Sequence, residues 1–153
     1  MPRVQHVKSA RKAWPPDIEI GDSYYWWKFA FGPRYNSKTY PKRSRLTQSG
    51  FLSQLWDLED GLSDRLNGLT KDDLEDELEN ITAEIQELHD ECEQNRENMP
   101  EHLQDVGSGE ILQERMDAME EWIDEIEGID LDPQEGCTWE DVVDEILNTS
   151  CGL

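Results

Sequence analysis

Basic residues are scarce in this chain, and cysteines are scarcer. Fourteen lysines and arginines face 36 aspartates and glutamates, and 153 residues contain three cysteines. The formal charge is −22 and the isoelectric point about 4.2. Such a chain repels nucleic acid and anionic membrane over most of its surface, and it is attracted to basic partners. Cys92, Cys137 and Cys151 are odd in number and lack paired spacing, which argues against a disulfide framework and for reduced thiols in a cytosol. No apolar run approaches the ~20 residues of a membrane helix. The opening Met1-Pro2-Arg3-Val4-Gln5-His6 has no apolar core of a signal peptide. The expected location is therefore the cytoplasm, with no membrane partner.

Catalytic signatures are missing too. There is no phosphate-cradling G-x-x-x-x-G-K-[ST], no dinucleotide G-x-G-x-x-G and no H-E-x-x-H. Carboxylates are so abundant that no pair stands out as acid and base, and acids on a solvated helix face suit no proton transfer near neutral pH. The expectation is a non-enzymatic protein with no cofactor and no metal. His89 and Cys92 stand one helical turn apart and would need Cys137 or His102 to complete a metal site. Without C-x-x-C spacing that signal is weak, and Cys92 reads instead as a small hydrophobe in a helix seam.

Hydrophobic content, at 35%, is low for one core spanning the whole chain, while charged residues reach 33%. Heptad packing, which needs few apolar residues per turn, fits better. Leu74, Leu78, Ile81, Ile85, Leu88, Cys92 and Met99 recur at alternating steps of four and three, broken at Asn95. This is the seam of a coiled coil on a densely acidic rod over residues 71–98. Thr70 to Asp73 resembles a capping box. Met99-Pro100 ends the helix, and Gly107-Ser108-Gly109 reads as a flexible turn with Ser108 as the next cap. A second helix over residues 109–127 repeats the steps at Leu112, Met116, Met119, Ile123 and Ile126, with Arg115 and Trp122 as flanks. Two matching seams across a short link predict an antiparallel helical hairpin. Asn95 falls at its turn end, where it either fixes register or lies in a frayed end. Gly128, Asp130, Asp132 and Pro133 mark a loop, and Thr138 caps a last helix, Trp139 to Leu147.

The first 50 residues differ. They hold ten bases against Asp17, Glu19 and Asp22, a net +7, whereas residues 51–153 hold four bases against 33 acids, a net −29. Residues 4–13 suit two or three basic helical turns, ended at Trp14-Pro15-Pro16. Gly21-Asp22 suggests a turn. Aromatic density in Ser23 to Phe31 favours a strand, stopped by Gly32-Pro33, with Tyr35 to Tyr40 returning as the second strand of a β-hairpin. Alternation puts Tyr24, Trp26 and Lys28 on one face and Tyr25, Trp27, Phe29 and Phe31 on the other. Both faces are aromatic, so one packs on a helix and the other needs a second cover or a ligand. The supporting helix, capped by Thr47 or Ser49, carries Phe51, Leu55, Leu58 and Leu62, widened by Leu52, Trp56 and Leu66, and ends at Gly68 and Leu69.

Two surfaces follow. The acidic rod offers Glu75, Glu79, Glu84, Glu91, Asp117, Glu120, Glu121 and Asp124 to a basic partner. Its net charge lies close in density to that of duplex DNA, one per ~2.2 Å against one per ~1.7 Å. Solubility, halophilic adaptation and masking of the basic module are plainer readings of the same charge. The basic module offers Tyr25, Trp27, Lys28, Arg34, Lys38 and Arg43, where bases could stack on aromatics while cations follow phosphates. Its plainer reading is a hairpin core with a solvated basic surface.

Several segments carry a resemblance. Tyr24-Tyr25-Trp26-Trp27, Ser37-Lys38-Thr39, Pro41, Ser44, and Leu46-Thr47-x-Ser49-x-Phe51 resemble small uncharacterised proteins of tailed bacteriophages and prophages. Asn98-Met99-Pro100-Glu101 and Leu112-Gln113-Glu114-Arg115 are similar to the downstream part of that group. The resemblance covers most of the chain and brings no activity or site residues. It implies a phage-like origin and a host-directed accessory role in the host cytoplasm.

The sequence thus predicts a mainly α protein: a basic aromatic β-hairpin module over residues 1–50, then an acidic helical bundle over residues 51–153. The leading function is an anti-defence inhibitor that mimics DNA charge to block a basic, nucleic-acid-binding surface of a host protein. The alternatives are a nucleic-acid binder that dimerises through its helices and a structural coiled-coil adaptor.

Overall fold

The long heptad becomes one helix. In the computed structural model, which describes residues 1–132 and 135–153, α2 runs Lys71–Glu97 and α4 runs Ser108–Glu127. They lie antiparallel, since Arg96 reaches Gln104 and Asp105, His89 faces Glu120 and Lys71 pairs with Asp132. The fold is mainly helical, with an N-terminal antiparallel sheet and this packed helix pair. Contacts divide it into two compact units, Met1–Asp57 and Leu58–Leu153, and the boundary falls within helix α1, Gly50–Leu66.

In the second unit, Leu74, Leu78, Ile81, Ile85, Leu88 and Cys92 are buried along α2. Leu112, Met116, Met119 and Ile126 answer them from α4. Trp122 also enters the core, at 1% exposure, whereas Ile123 is only half-buried. The predicted order of those two is therefore reversed. The indole is the larger apolar group, and its Nε1 donates to Thr149 Oγ1 at 3.0 Å, which removes the cost of burying the N–H. Asn95 is exposed, so it fixes no register.

The turn of the helical hairpin is tighter than the flexible segment predicted. It contains a short helix, α3, Glu101–Gln104. Gly107, at φ +57°, is the N-cap of α4, and Ser108 is the first helical residue rather than the cap. A Cβ on Gly109 would lie 2.2 Å from the Gln104 carbonyl oxygen. These glycines serve conformation and close approach. The last helix, α5, Trp139–Leu147, starts with a complete capping box between Thr138 and Asp141. Pro133, assigned above to a loop, lies outside the described residues.

The first unit contains three strands, not two. β1 (Gln5–Val7), β2 (Tyr24–Lys28) and β3 (Arg34–Ser37) form an antiparallel sheet in that order, with Gln5 opposite Trp26 and Trp26 opposite Asn36. The helical turns expected over residues 4–13 do not form. β2 offers an unpaired edge, and non-local backbone hydrogen bonds outweigh a short, weak helical preference. After β1, Ala10 N–H donates to the Asp22 carbonyl at 2.7 Å and Gly21 N–H to Ala10 at 2.8 Å. Trp14 and Ile18 exchange bonds of 2.8 and 3.0 Å around a cis Pro15-Pro16 peptide.

This looped segment is the second cover that the aromatic sheet required. Ala10, Ile18 and Tyr24 form a buried cluster, with Val7, Trp14 and Trp26 packed against it. On the opposite face Trp27 is 1% exposed and stacks on Tyr35. Each face of the sheet thus buries one aromatic ring, Tyr24 under the N-terminal segment and Trp27 on the opposite side. Ser49, whose Oγ accepts from Leu52 N–H at 3.3 Å, opens α1, and Thr47 Oγ1 accepts from Ser49 N–H.

Candidate interaction surfaces

The basic module keeps much of its charge for itself. Arg34 lies over the Trp26 ring at 4.1 Å and the Trp14 ring at 5.1 Å, and it donates to Tyr24 Oη at 3.0 Å. Arg45 covers Trp27, and Arg43 covers Trp56. Lys38 pairs with Asp22 at 3.0 Å. The Asp22 carboxyl is held below its usual range, first by the Glu19 N–H and then by Lys38. Tyr25 is stacked on His6 at 4.8 Å and meets Tyr40 edge-on at 5.5 Å.

Several residues of the proposed stacking surface are thus engaged within the module. Trp27 is enclosed and offers no face to a nucleobase, Tyr25 is half-buried, and Arg34 clamps the sheet. Of that set, Lys28, at the end of β2, lies exposed, as do Arg34 and Lys38. A cleft of about 490 Å³ in this unit is lined by Lys28, Phe29, Leu46, Gln48, Leu52 and Trp56, among others. Phe31 stands at 87% exposure in the β2–β3 turn.

The acidic surface is built on rigid helices. Glu75, Glu79, Glu84 and Glu91 are exposed on α2, and Asp117, Glu120, Glu121 and Asp124 are exposed on α4. They do not all stand free. Glu84 takes two N–H donors from Arg65, at 2.9 and 3.1 Å, and Arg65 Nε also engages Glu77. Those carboxylates, Glu84 foremost, hold the guanidinium above its ordinary pKa. Glu120 faces His89 at 3.1 Å, and Asp117 accepts from Gln113 at 2.7 Å. Asp90 is held below its usual range by the Gln86 amide and then His89. Glu79, Glu91, Glu121 and Asp124 remain open to solvent.

The charge density survives this pairing. Twenty carboxylates on α2 and α4, against Lys71, Arg96, Arg115 and the docked Arg65, leave a net −16. Spread over about 40 Å of helix, this is one charge per ~2.5 Å, against one per ~1.7 Å in duplex DNA. Sequence reasoning missed two features here, the neutralising role of Arg65 and the meeting of His89 with Glu120. Both depend on which helix lies opposite, and the antiparallel register was the signal that would have located the second.

His89 and Cys92 do not converge on one site. Cys92 lies in the seam, where burial pushes its thiol up, while His89 points to Asp90 and Glu120. Among the described residues, no helix is long and apolar enough to cross a membrane. No family model, curated protein or solved structure matches the chain.

Proposed function

We propose that this chain is a non-enzymatic, phage-encoded interaction protein whose acidic helix pair occupies a basic, nucleic-acid-binding surface of a host defence or DNA-processing protein. One observation carries the reading: the carboxylates lie on two packed helices and keep a net −16 after their internal pairing. A disordered acidic tail would solubilise equally well. Packed helices instead hold the charges at fixed spacing, so binding loses less conformational entropy. Like-charge neighbours such as Glu75 and Glu79 oppose helix stability, and a binding role gives that cost a purpose.

The reading in which residues 1–50 bind nucleic acid has less support, because Trp27 is buried and Arg34 and Lys38 are engaged within the module. The structural adaptor and the homodimer remain distinct outcomes of the test. The protein is immobilised and used to capture partners from a bacterial lysate, with duplex DNA or salt as eluant. Mimicry predicts basic DNA-binding proteins released by both. Capture of acidic or neutral scaffold proteins that duplex DNA does not displace supports the adaptor. Self-association at micromolar concentration in sedimentation supports the dimer.

A further inference from the structure

We propose that a cleft between α2 and the end of α4 receives a long cationic side chain, arginine or lysine, from the basic surface of the partner protein. The inference rests on the charge-mimicry reading and names the point at which that partner is gripped.

The cleft measures about 260 Å³ and lies wholly within the second unit. One wall comes from α2, where Glu75, Leu78 and Glu79 stand at the three- and four-residue steps of a single helix face. The other comes from Ile126 and Glu127 at the end of α4 and from Ile129 just beyond it. Leu78 and Ile126 are buried residues of the helix seam, and Ile129 is half-buried. The three carboxylates are exposed. Among the described residues, no salt bridge engages Glu79 or Glu127. Lys71 acts on Glu75 through space, but its ammonium is bonded to Asp132.

Carboxylates alone mark no site on a helix pair this acidic. What singles this cleft out is its aliphatic lining. A second cleft of the pair, beside His89, is lined mainly by polar and charged side chains.

Aliphatic walls under a carboxylate rim select the occupant by complementarity. An anion is repelled. A neutral apolar side chain would take water from the carboxylates and return no hydrogen bond. A small cation leaves the aliphatic walls unused. A long cationic side chain satisfies both parts, its methylene stem lying against Leu78, Ile126 and Ile129 and its charged head among the carboxylates. Solvated ion pairs are worth little, and excluding water around the head strengthens the attraction. Arginine, whose planar fork matches carboxylates, is the more favourable of the two.

The experiment titrates the intact, isotope-labelled protein with N-acetylarginine methylamide, followed by nuclear magnetic resonance at an ionic strength of about 0.15 M. The norleucine analogue supplies the stem without charge, and methylguanidinium supplies the head without stem. The expected result is saturable shifts centred on the methyl groups of Leu78, Ile126 and Ile129 with the arginine probe. Both control probes should bind there at least tenfold more weakly. Glu79→Gln and Ile129→Ser should each weaken the arginine probe about threefold or more, and Glu140→Gln, an exposed acid on α5, should leave it unchanged. Glu79→Gln alters a solvent-exposed side chain, so it remains informative if Ile129→Ser fails to fold. Shifts spread evenly along the acidic helices, equal binding by methylguanidinium, or no loss in Glu79→Gln would each overturn the cleft. Self-association of the protein that the arginine probe reverses would assign the cleft to the basic module of a second copy, and would overturn the partner named here. The two readings fail separately. Displacement of DNA from the host protein without focused probe binding removes the cleft and keeps the mimicry, whereas focused probe binding without displacement keeps the cationic pocket and removes the mimicry.

Discussion

Arg65 reaches from α1 to α2 and grips Glu84 with two parallel N–H donors while its Nε engages Glu77. A single arginine thus fastens two carboxylates about two turns apart on the acidic helix. Removing it leaves two carboxylates facing each other without their cation. Arg65→Met, which keeps the aliphatic stem, should lower stability by about 1 kcal/mol, discounted for partial exposure. The difference from the parent should shrink at high salt in paired urea melts, because screening weakens the lost attraction.

Ile81 is fully buried at the middle of the α2 seam. Ile81→Asp places an unpaired charge where an aliphatic side chain was packed, and should cost several kcal/mol. Thermal melting followed by circular dichroism checks this, and an unchanged midpoint would contradict the helix packing.

Gly109→Ala tests whether the hairpin turn is shaped or merely flexible. The added methyl would lie 2.2 Å from a backbone oxygen, so the turn must open. The melting temperature should fall, while Gly61→Ala, where nothing lies within 4 Å of the new carbon, should raise it slightly or leave it unchanged.

The three thiols should separate by reactivity. Cys137 is exposed, whereas burial pushes the Cys92 thiol up and that of Cys151 to about 12. The thiolate is the nucleophile. Iodoacetamide at neutral pH should therefore modify Cys137 in the native protein, and Cys92 and Cys151 only after denaturation, as peptide mass mapping would read.

Asp141 gives a pH dependence with a defined sign. Its carboxyl accepts from the Thr138 N–H at 2.6 Å and the Thr138 hydroxyl at 2.9 Å, which holds it below the ordinary value of 3.8. A depressed folded value means that the contribution is complete above the unfolded carboxylate range and is lost as pH falls through the folded value. Asp141→Asn should lower stability near pH 7 and make less difference at strongly acidic pH, as denaturant titrations at both would reveal.

The helices were legible because their signals are local. Seam residues from Leu74 to Cys92 repeat at helical spacing, and the Thr138 cap stands beside the helix it starts. What escaped was non-local. Val7 and Ala10 look like helical positions until β2 is available as a pairing partner. Trp122 and Ile123 compete for one seam position, and the choice depends on Thr149, 27 residues away, which accepts the indole N–H. The acidic face was visible as composition, but its pairing was not. Glu84 looks as free as Glu79 in the sequence, and it is Arg65 on another helix that distinguishes them.

The central claim concerns the open carboxylates, and Glu75, Glu79, Glu91 and Glu121 test it together. Changing all four to Gln retains helix propensity and removes charge from solvent-facing positions. The variant should fold at least as stably as the parent, because repulsion is relieved. The decisive measurement is competition: the captured host protein is pre-bound to labelled duplex DNA and titrated with parent or variant. The account predicts that the parent displaces the DNA, less well as salt rises, and that the quadruple variant is at least tenfold weaker, roughly 1.4 kcal/mol or more. Equal displacement by both proteins, with loss instead on changing exposed Phe31 and Tyr40, would contradict it.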